Sequence, residues 1–570
     1  MFTLVRWIHR QEPPNSDDLN YFSAASRLID GTHAVFVERP LKNGALHHDY
    51  RFGVVLPSAL AQLLFGANSR SYYMVPACFS LAAFCAVFLL NRSLVGMAAA
   101  VLVGLLQCFW ALEIAHGSVL FADLGAATCL LAAIGLSFPN ELHLRASQTR
   151  FAPLAAGVFI FFGYLFRENL PALYAPTVLF LMWRKEDRRR LLQTLTVSAL
   201  LFSAEQALYL WLGASPLHRH VITSEEIERY KPYFPRADLI ELPLRTFSEL
   251  NRKYGWANAF LALFSLFAAF AGLIFGTTRL QRTVGCTALL SWCIMTFLPL
   301  GTDDGRLLVM PVQPRLLGTL TLFGFVSATP FVAKGLRSRT PTRVALVGVL
   351  ACVVLVETLA LGKLPRPLYG ERSRFHPVLK ALDQEAGTKQ IVATGRDLNE
   401  MRLFKRGLSG EELRWHWQAP SELLEDVRNA TPKYVYVNTA LQSRDWRVKG
   451  AARTREWTEQ LYQALSLNYR RLTPKLGYAN YRWLFERVPT RLEKIDVVAD
   501  STPARFDCRD ADAELRLGNK DAMLPVNPAT VGSTNIILET SASSVGRAFV
   551  NLEELEDEAV TDSRRFRIRS

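Results

Sequence analysis

Between Tyr72 and Leu361 the chain carries ten apolar blocks separated by short polar connections, a pattern that limits the possible folds more than any other feature. The blocks are Tyr72–Leu90, Met97–Ala115, Val119–Phe138, Phe151–Phe166, Leu170–Trp183, Leu191–Gly213, Trp256–Gly276, Val284–Leu300, Leu316–Val332 and Val344–Leu361. Half of the 570 residues are apolar, and blocks this dense exceed what one globular core needs. They predict a mainly α, polytopic membrane protein of about ten spans. Several blocks fall short of the ~20 residues of an upright span, so tilted or re-entrant helices are expected. Val54–Phe65 is shorter and contains Pro57; it reads as an interfacial helix leading into the first span.

The charges lie between the blocks. The connections Asn91–Gly96, Pro139–Arg150, Arg184–Arg190, Thr277–Thr283 and Ala333–Arg343 hold fourteen Lys and Arg. His116–Ser118 holds none, Arg167–Asn169 one, and Gly301–Arg315 two. Positive loops stay in the cytoplasm, and long loops such as Ala214–Gly255 count little. RKEDRRR and KGLRSRTPTR are therefore expected on the cytoplasmic side of the cell membrane. Residues 1–71, Ala214–Gly255 and everything after Gly362 are expected outside. The net charge of +14 is explained by this loop pattern, and no basic motif interleaved with aromatics points to nucleic acid. Seven of the eight cysteines lie in apolar blocks, with Cys508 alone in the polar C-terminal part, which excludes a disulfide framework there.

An N-terminus outside, with no signal peptide in Met1–Arg10, needs a means of export. The expectation is a missing first helix, with FTLVRWI as the remnant of its outer end. After Gly362 the composition turns polar and Pro-punctuated. Residues 363–488 read as a small extracytoplasmic α/β domain, with helices at Ser373–Glu385 and Glu456–Leu467 and strands at Gln390–Thr394, Lys433–Asn438 and Arg482–Val488. Gly395–Asp397 lacks a full dinucleotide fingerprint and reads as a turn. Residues 489–570, acidic and poor in apolar runs, are expected to be a weakly ordered tail.

Residues 1–71 form the first outer loop. In it, Asn15–Gly31 reads as an amphipathic helix, with Leu19, Phe22, Leu28 and Ile29 on one face and Gly31 as its stop. Asp17 and Asp18 open it. One can cap the helix, and a carboxylate at a membrane surface can also act as general base toward an acceptor hydroxyl. His47, His48 and Asp49 offer donors for a divalent metal, or equally a hydrogen-bonded interfacial loop. Glu113 and Asp123 flank His116 near the outer span ends, and Arg167 with Glu168 separates two short blocks, either as a functional pair or as a self-paired turn. Glu205 and Glu357 can hydrogen-bond neighbouring helices. Arg315, in VQPRLLG, is a candidate phosphate clamp or a snorkelling anchor.

The order of these features carries a resemblance. DDLNYFSAASRLIDG is followed by RFGVVLPSALAQLLFG, then by LFADLGAATCLLAAIGL, AAGVFIFFGYLFRENLPAL and QPRLLG. Over residues 15–335 this resembles the GT-C superfamily of polytopic glycosyltransferases, which includes protein O-mannosyltransferases and aminoarabinose-lipid A transferases. The resemblance implies sugar transfer from a polyprenyl-phosphate donor to an acceptor glycan, lipid or protein on the extracytoplasmic side. It makes Asp17 the base with Asp18 beside it, and Asp123 a second acid. Arg51, Arg167 and Arg315 then hold the donor phosphate, and Asp49 with His48 is the nearest match to a divalent metal site. A base opposite a phosphate leaving group implies inversion at the sugar. A lipid or glycan transporter would instead gather charges at the midplane of paired repeats, which are not evident here. A non-catalytic envelope assembly protein is the third reading.

Overall fold

In the computed structural model the chain divides into two compact units, Met1–Pro367 and Leu368–Ser570. The structure describes Val5, residues 17–37 and residues 47–363, except 184, 231–235, 239, 298–300, 304–305, 310–316 and 339; beyond 363 it describes residues 429, 460–461 and 463–465 and the elements named below.

The first unit begins with α1 (Asp17–Ile29), whose first turn carries both aspartates. Gly31 follows at φ +71°, a left-handed conformation that favours glycine and ends the helix. A 3₁₀ turn at His47–Tyr50 leads into α2 (Phe52–Phe65). Helix α2 packs on α1, where Gln62 Nε2 donates to the Phe22 carbonyl at 2.9 Å and Ser26 Oγ donates to Gln62 Oε1 at 2.8 Å. Its other face leaves Leu56, Leu60, Leu63 and Leu64 exposed, as an interfacial helix requires.

Each apolar block contains helix among its described residues. The helices are α3 (Ser69–Val95), α4 (Met97–Phe109), α5 (Ala111–Gly117), α6 (Ala122–Ser137), α7 (Ala146–Phe166), α8 (Ala175–Met182) and α9 (Lys185–Trp211). After α10 (His218–Tyr230) and the amphipathic α11 (Leu242–Tyr254) come α12 (Trp256–Phe275), α13 (Arg279–Phe297), α14 (Gly318–Arg337) and α15 (Thr340–Lys363). Among the described residues six helices are long and apolar enough to cross a membrane: α3, α7, α9, α12, α14 and α15. The first unit is thus a membrane domain.

Ten spans were expected from the ten blocks, and six meet the requirement. The difference has local causes. Met97–Ala115 is divided at Trp110, leaving the 13-residue α4, and at 1.5 Å per residue such a helix reaches about 20 Å, short of a ~30 Å hydrocarbon layer. Leu170–Trp183 begins as a 3₁₀ turn with Pro171 and becomes the eight-residue α8. Helix α6 has 16 residues and is mostly buried, so it serves as a packing core for its neighbours. None of the seven cysteines of the apolar blocks forms a disulfide.

A small antiparallel sheet of the order β1–β3–β2 joins β1 (Arg236–Ala237), β2 (Gly301–Asp303) and β3 (Arg306–Leu308). In the second unit β4 (Ile391–Ala393), β5 (Leu413–Trp415), β6 (Tyr434–Asn438), β7 (Tyr469–Arg471) and β8 (Arg482–Arg487) form a mixed sheet of order β5–β4–β6–β8–β7. Helix α16 (Pro420–Arg428) supplies Leu424 and Val427 to a core with Val435, Leu461, Leu465, Tyr469 and Phe485. A second five-stranded sheet has the order β10–β9–β12–β16–β15, from β9 (Lys494–Ala499), β10 (Pro503–Asp507), β12 (Ile536–Thr540), β15 (Glu556–Val560) and β16 (Ser563–Arg567). The strands β11 (Asp521–Met523), β13 (Arg547–Val550) and β14 (Glu553–Glu554) make a third sheet. Ser373–Glu385, Gly395–Asp397 and most of Glu456–Leu467 lie outside the described residues.

Candidate active site

Phe166, the last residue of α7, organises the site. A Cβ at Gly53 would lie 2.7 Å from the Phe166 ring, and one at Gly125 would lie 2.5 Å from it. Only glycine permits this approach. Gly53 is two residues after Arg51, Gly125 two after Asp123, and Phe166 directly precedes Arg167 and Glu168. The packing of one ring into two glycine seats therefore draws four charged residues from α2, α6 and α7 toward one corner of the membrane domain.

There the charges pair across the fold. Arg51 donates to both oxygens of Glu168, from Nε to Oε1 at 3.3 Å and from Nη2 to Oε2 at 3.1 Å, and its Nη1 donates to Tyr21 Oη at 2.7 Å. Arg219 of α10 donates to Glu168 Oε1 at 3.0 Å, to Glu205 Oε1 at 3.2 Å and to the carbonyls of Tyr164 and Leu165. Burial alone would raise the Glu168 carboxyl, but Arg51 and Arg219 outweigh it and hold it far below the usual carboxylate range. Burial likewise opposes the Arg51 charge, and Glu168 and Tyr21 outweigh that, keeping it fixed as a cation. Arg167 turns the other way, with Nη2 2.6 Å from Asp123 Oδ1. The self-paired turn considered for Arg167 and Glu168 is not formed; each finds a partner far away in sequence.

The two aspartates of α1 have different surroundings. Asp18 is fully buried and accepts from Tyr72 Oη at 2.7 Å; the same phenol oxygen accepts from the Leu120 amide at 3.4 Å. Asp17 is about one-quarter exposed, and its Oδ1 lies 3.2 Å from His48 Nε2. Burial pushes the His48 imidazole down, against the upward pull of Asp17, so it is neutral near pH 7. The His48 ring also meets Tyr21 edge-on at 5.1 Å. Contacts thus run from Asp17 through His48 and Tyr21 to Arg51, Glu168 and Arg219.

Buried polar atoms with no hydrogen-bond partner among the described residues in this corner include Asp123 Oδ2, Arg167 Nε and Arg219 Nε. Asp123 and Arg167 already hold each other, so a buried acceptor and a buried donor are left over at one ion pair.

The metal expectation was tested on its own residues. Asp49 is engaged by Arg27 Nη2 at 2.5 Å, its backbone carbonyl meets His33 Nε2 at 3.1 Å, and His48 faces Asp17. Among the described residues no group of three or more His, Cys, Asp or Glu is placed to hold an ion. Asp49 and His48 are committed to these partners and, among the described residues, do not fit a metal centre. Glu113, buried, accepts from Gln107 at 3.0 Å, and Glu205 bonds Tyr209 of its own helix as well as Arg219. Glu357 is buried in α15. Arg315 and the side chains of His47 and His116 lie outside the described residues. Tyr21, Tyr72 and Arg219 were not singled out from the sequence; the HRH triplet of residues 218–220 following a span was the available signal for Arg219.

No family model matches the chain, and no curated protein matches it. Among solved structures, ArnT from Cupriavidus metallidurans in the apo state is similar at 11% identity and TM-score 0.51, over 85% of this chain and 96% of that one. ArnT bound to undecaprenyl phosphate is similar at 12% identity and TM-score 0.53, over 85% and 97%. The oligosaccharyltransferase AglB of Archaeoglobus fulgidus, in complex with an inhibitory peptide and a dolichol-phosphate, is similar at 12% identity and TM-score 0.44, over 84% and 73%. At these identities the likeness concerns the fold: the chain folds as ArnT does.

Proposed function

We propose that the chain is a membrane glycosyltransferase that moves a sugar from a polyprenyl-phosphate donor to an acceptor hydroxyl or amine on the extracytoplasmic side. The observation that carries this reading is the Arg167–Asp123 pair, whose guanidinium keeps a buried N–H with no partner among the described residues. A lipid-phosphate leaving group needs a cation with donors to spare, placed where water is scarce. Arg51 and Arg219 meet it less well: Arg219 Nε also lacks a partner among the described residues, but these two side chains are only 9% and 1% exposed and are held by Glu168 and Glu205, against 18% for Arg167. Arg167 does meet it. Arg51 then shapes the site, and Arg315 remains a second candidate for the phosphate. The ArnT fold, seen elsewhere with undecaprenyl phosphate bound, supports the same class of donor.

Asp17 is the base in this reading. It is accessible where Asp18 is not, and the His48 imidazole beside it, neutral near pH 7, puts no full positive charge against it. Asp18, clamped by Tyr72, fixes the start of α1 and so the direction of Asp17. Asp123 takes the second acidic position by holding Arg167 until the phosphate competes for it. A base facing the anomeric carbon opposite the departing phosphate inverts the sugar. The test is to supply purified protein with polyprenyl-phosphate sugars and glycan, lipid and peptide acceptors, and to measure release of the polyprenyl phosphate together with sugar on the acceptor. Release that depends on Arg167 and Asp17 supports the reading, and absence of release with every such donor removes it.

A further inference from the structure

We propose that Arg219 is a positioning residue for sugar transfer, fastening the first loop to the membrane helices through Glu168. This rests on the glycosyltransferase reading for its kinetic consequence, though not for its structural one. Arg219 is 1% exposed, and its guanidinium lies 4.5 Å over the Tyr164 ring. It reaches Glu205 on α9, the last turn of α7 through two carbonyls, and Glu168 just beyond α7. Two separate segments, α9 and the end of α7 with the turn after it, therefore meet at one side chain that is itself carried by α10. Glu168 passes the connection on, because the oxygen that accepts from Arg219 Nη2 also accepts from Arg51 Nε. Arg51 in turn holds the Tyr21 hydroxyl on α1, one helical turn from Asp17 and Asp18.

The charges explain why the link is rigid. Two guanidinium groups and two carboxylates, all nearly excluded from water, balance to neutrality, so none can leave without stranding another. Arg219 touches neither proposed reacting group. Its effect must reach Asp17 through the orientation of α1, so it should govern the chemical step more than donor affinity, which depends on Arg167.

The experiment uses the full chain in detergent, with hydrogen exchange of residues 17–31 measured beside transfer kinetics. Arg219→Gln is expected to raise exchange in that segment at least tenfold, and to lower kcat at least tenfold while the donor KM stays within twofold. Arg219→Lys, which restores charge but not the fork, should recover part of both losses. Glu168→Gln combined with Arg219→Gln should loosen the segment no more than Arg219→Gln alone, since both act through one connection. If Arg219→Gln does not fold, Glu205→Gln replaces it, with a smaller effect of the same kind. First-loop exchange unchanged by Arg219→Gln and Glu205→Gln overturns the proposal, as does additive loosening in the double variant. A proportional loss of kcat and folded fraction, with kcat per folded molecule unchanged, also overturns it. Wild-type protein without any transfer overturns the glycosyltransferase reading instead and leaves the exchange result to decide the link.

Discussion

Arg167 Nη2 sits 2.6 Å from Asp123 Oδ1, yet Arg167 Nε and Asp123 Oδ2 find no partner among the described residues. The pair is end-on, not a two-bond fork, and it retains the donor that a phosphate oxygen can take. Replacing Arg167 by Gln should raise the donor KM by at least tenfold, since a charge-assisted bond contributes about 1.5–3 kcal/mol. Arg167→Lys should recover little, because a point charge does not offer a planar fork. Steady-state kinetics with varied donor check both.

Gly125 offers a packing test. A methyl group there would sit 2.5 Å from the Phe166 ring, and Phe166 is pressed against Gly53 on its other side, so it cannot retreat. Gly125→Ala should destabilise the membrane domain by about 1–3 kcal/mol, seen as a lower melting temperature in detergent. Combining it with Phe166→Leu should return part of the loss.

Glu168 joins two buried cations. Glu168→Gln should cost about 3–5 kcal/mol because it strands positive charge on Arg51 and Arg219. Its folded pKa lies below the unfolded value, so its stabilisation is complete above the unfolded value of about 4.3 and fades only as acid approaches the lower folded value. A melting series near neutral pH should therefore show no pH dependence from this carboxylate, whose stabilisation is fully present there.

The histidines do contribute there. Burial lowers the pKa of His48, and of His218, which is packed edge-on against Tyr50 at 5.0 Å. A depressed folded pKa gives stability that is present above the unfolded value of about 6.5 and lost as pH falls. The melting temperature should drop between about pH 7.5 and 5.5, and His48→Gln with His218→Gln should flatten that slope.

Local features of the sequence were readable. The amphipathic period of Asn15–Gly31 located α1, Gly31 marked its end, and Val54–Phe65 was legible as a short helix of its own. Charged residues near the span ends pointed to Asp123, Arg167 and Glu168. Their pairing was not readable, because no period or spacing in a chain records that Glu168 meets Arg51 at a separation of 117 residues and Arg219 at 51. Adjacent Arg167 and Glu168 looked like partners, but their side chains leave the backbone in different directions and serve different helices. Asp18 and Tyr72, 54 residues apart, were hidden for the same reason. Among the described residues six helices, not ten, are long and apolar enough to span, since hydropathy does not register a break such as the one at Trp110 or the turn at Pro171.

The most direct test of the central claim is transfer by Asp17→Asn, measured as release of polyprenyl phosphate from a polyprenyl-phosphate sugar, with donor binding and melting temperature measured on the same sample. Loss of a general base should lower kcat by about 10²–10⁴-fold while donor binding and stability stay as in wild type. Transfer at the wild-type rate would contradict the account.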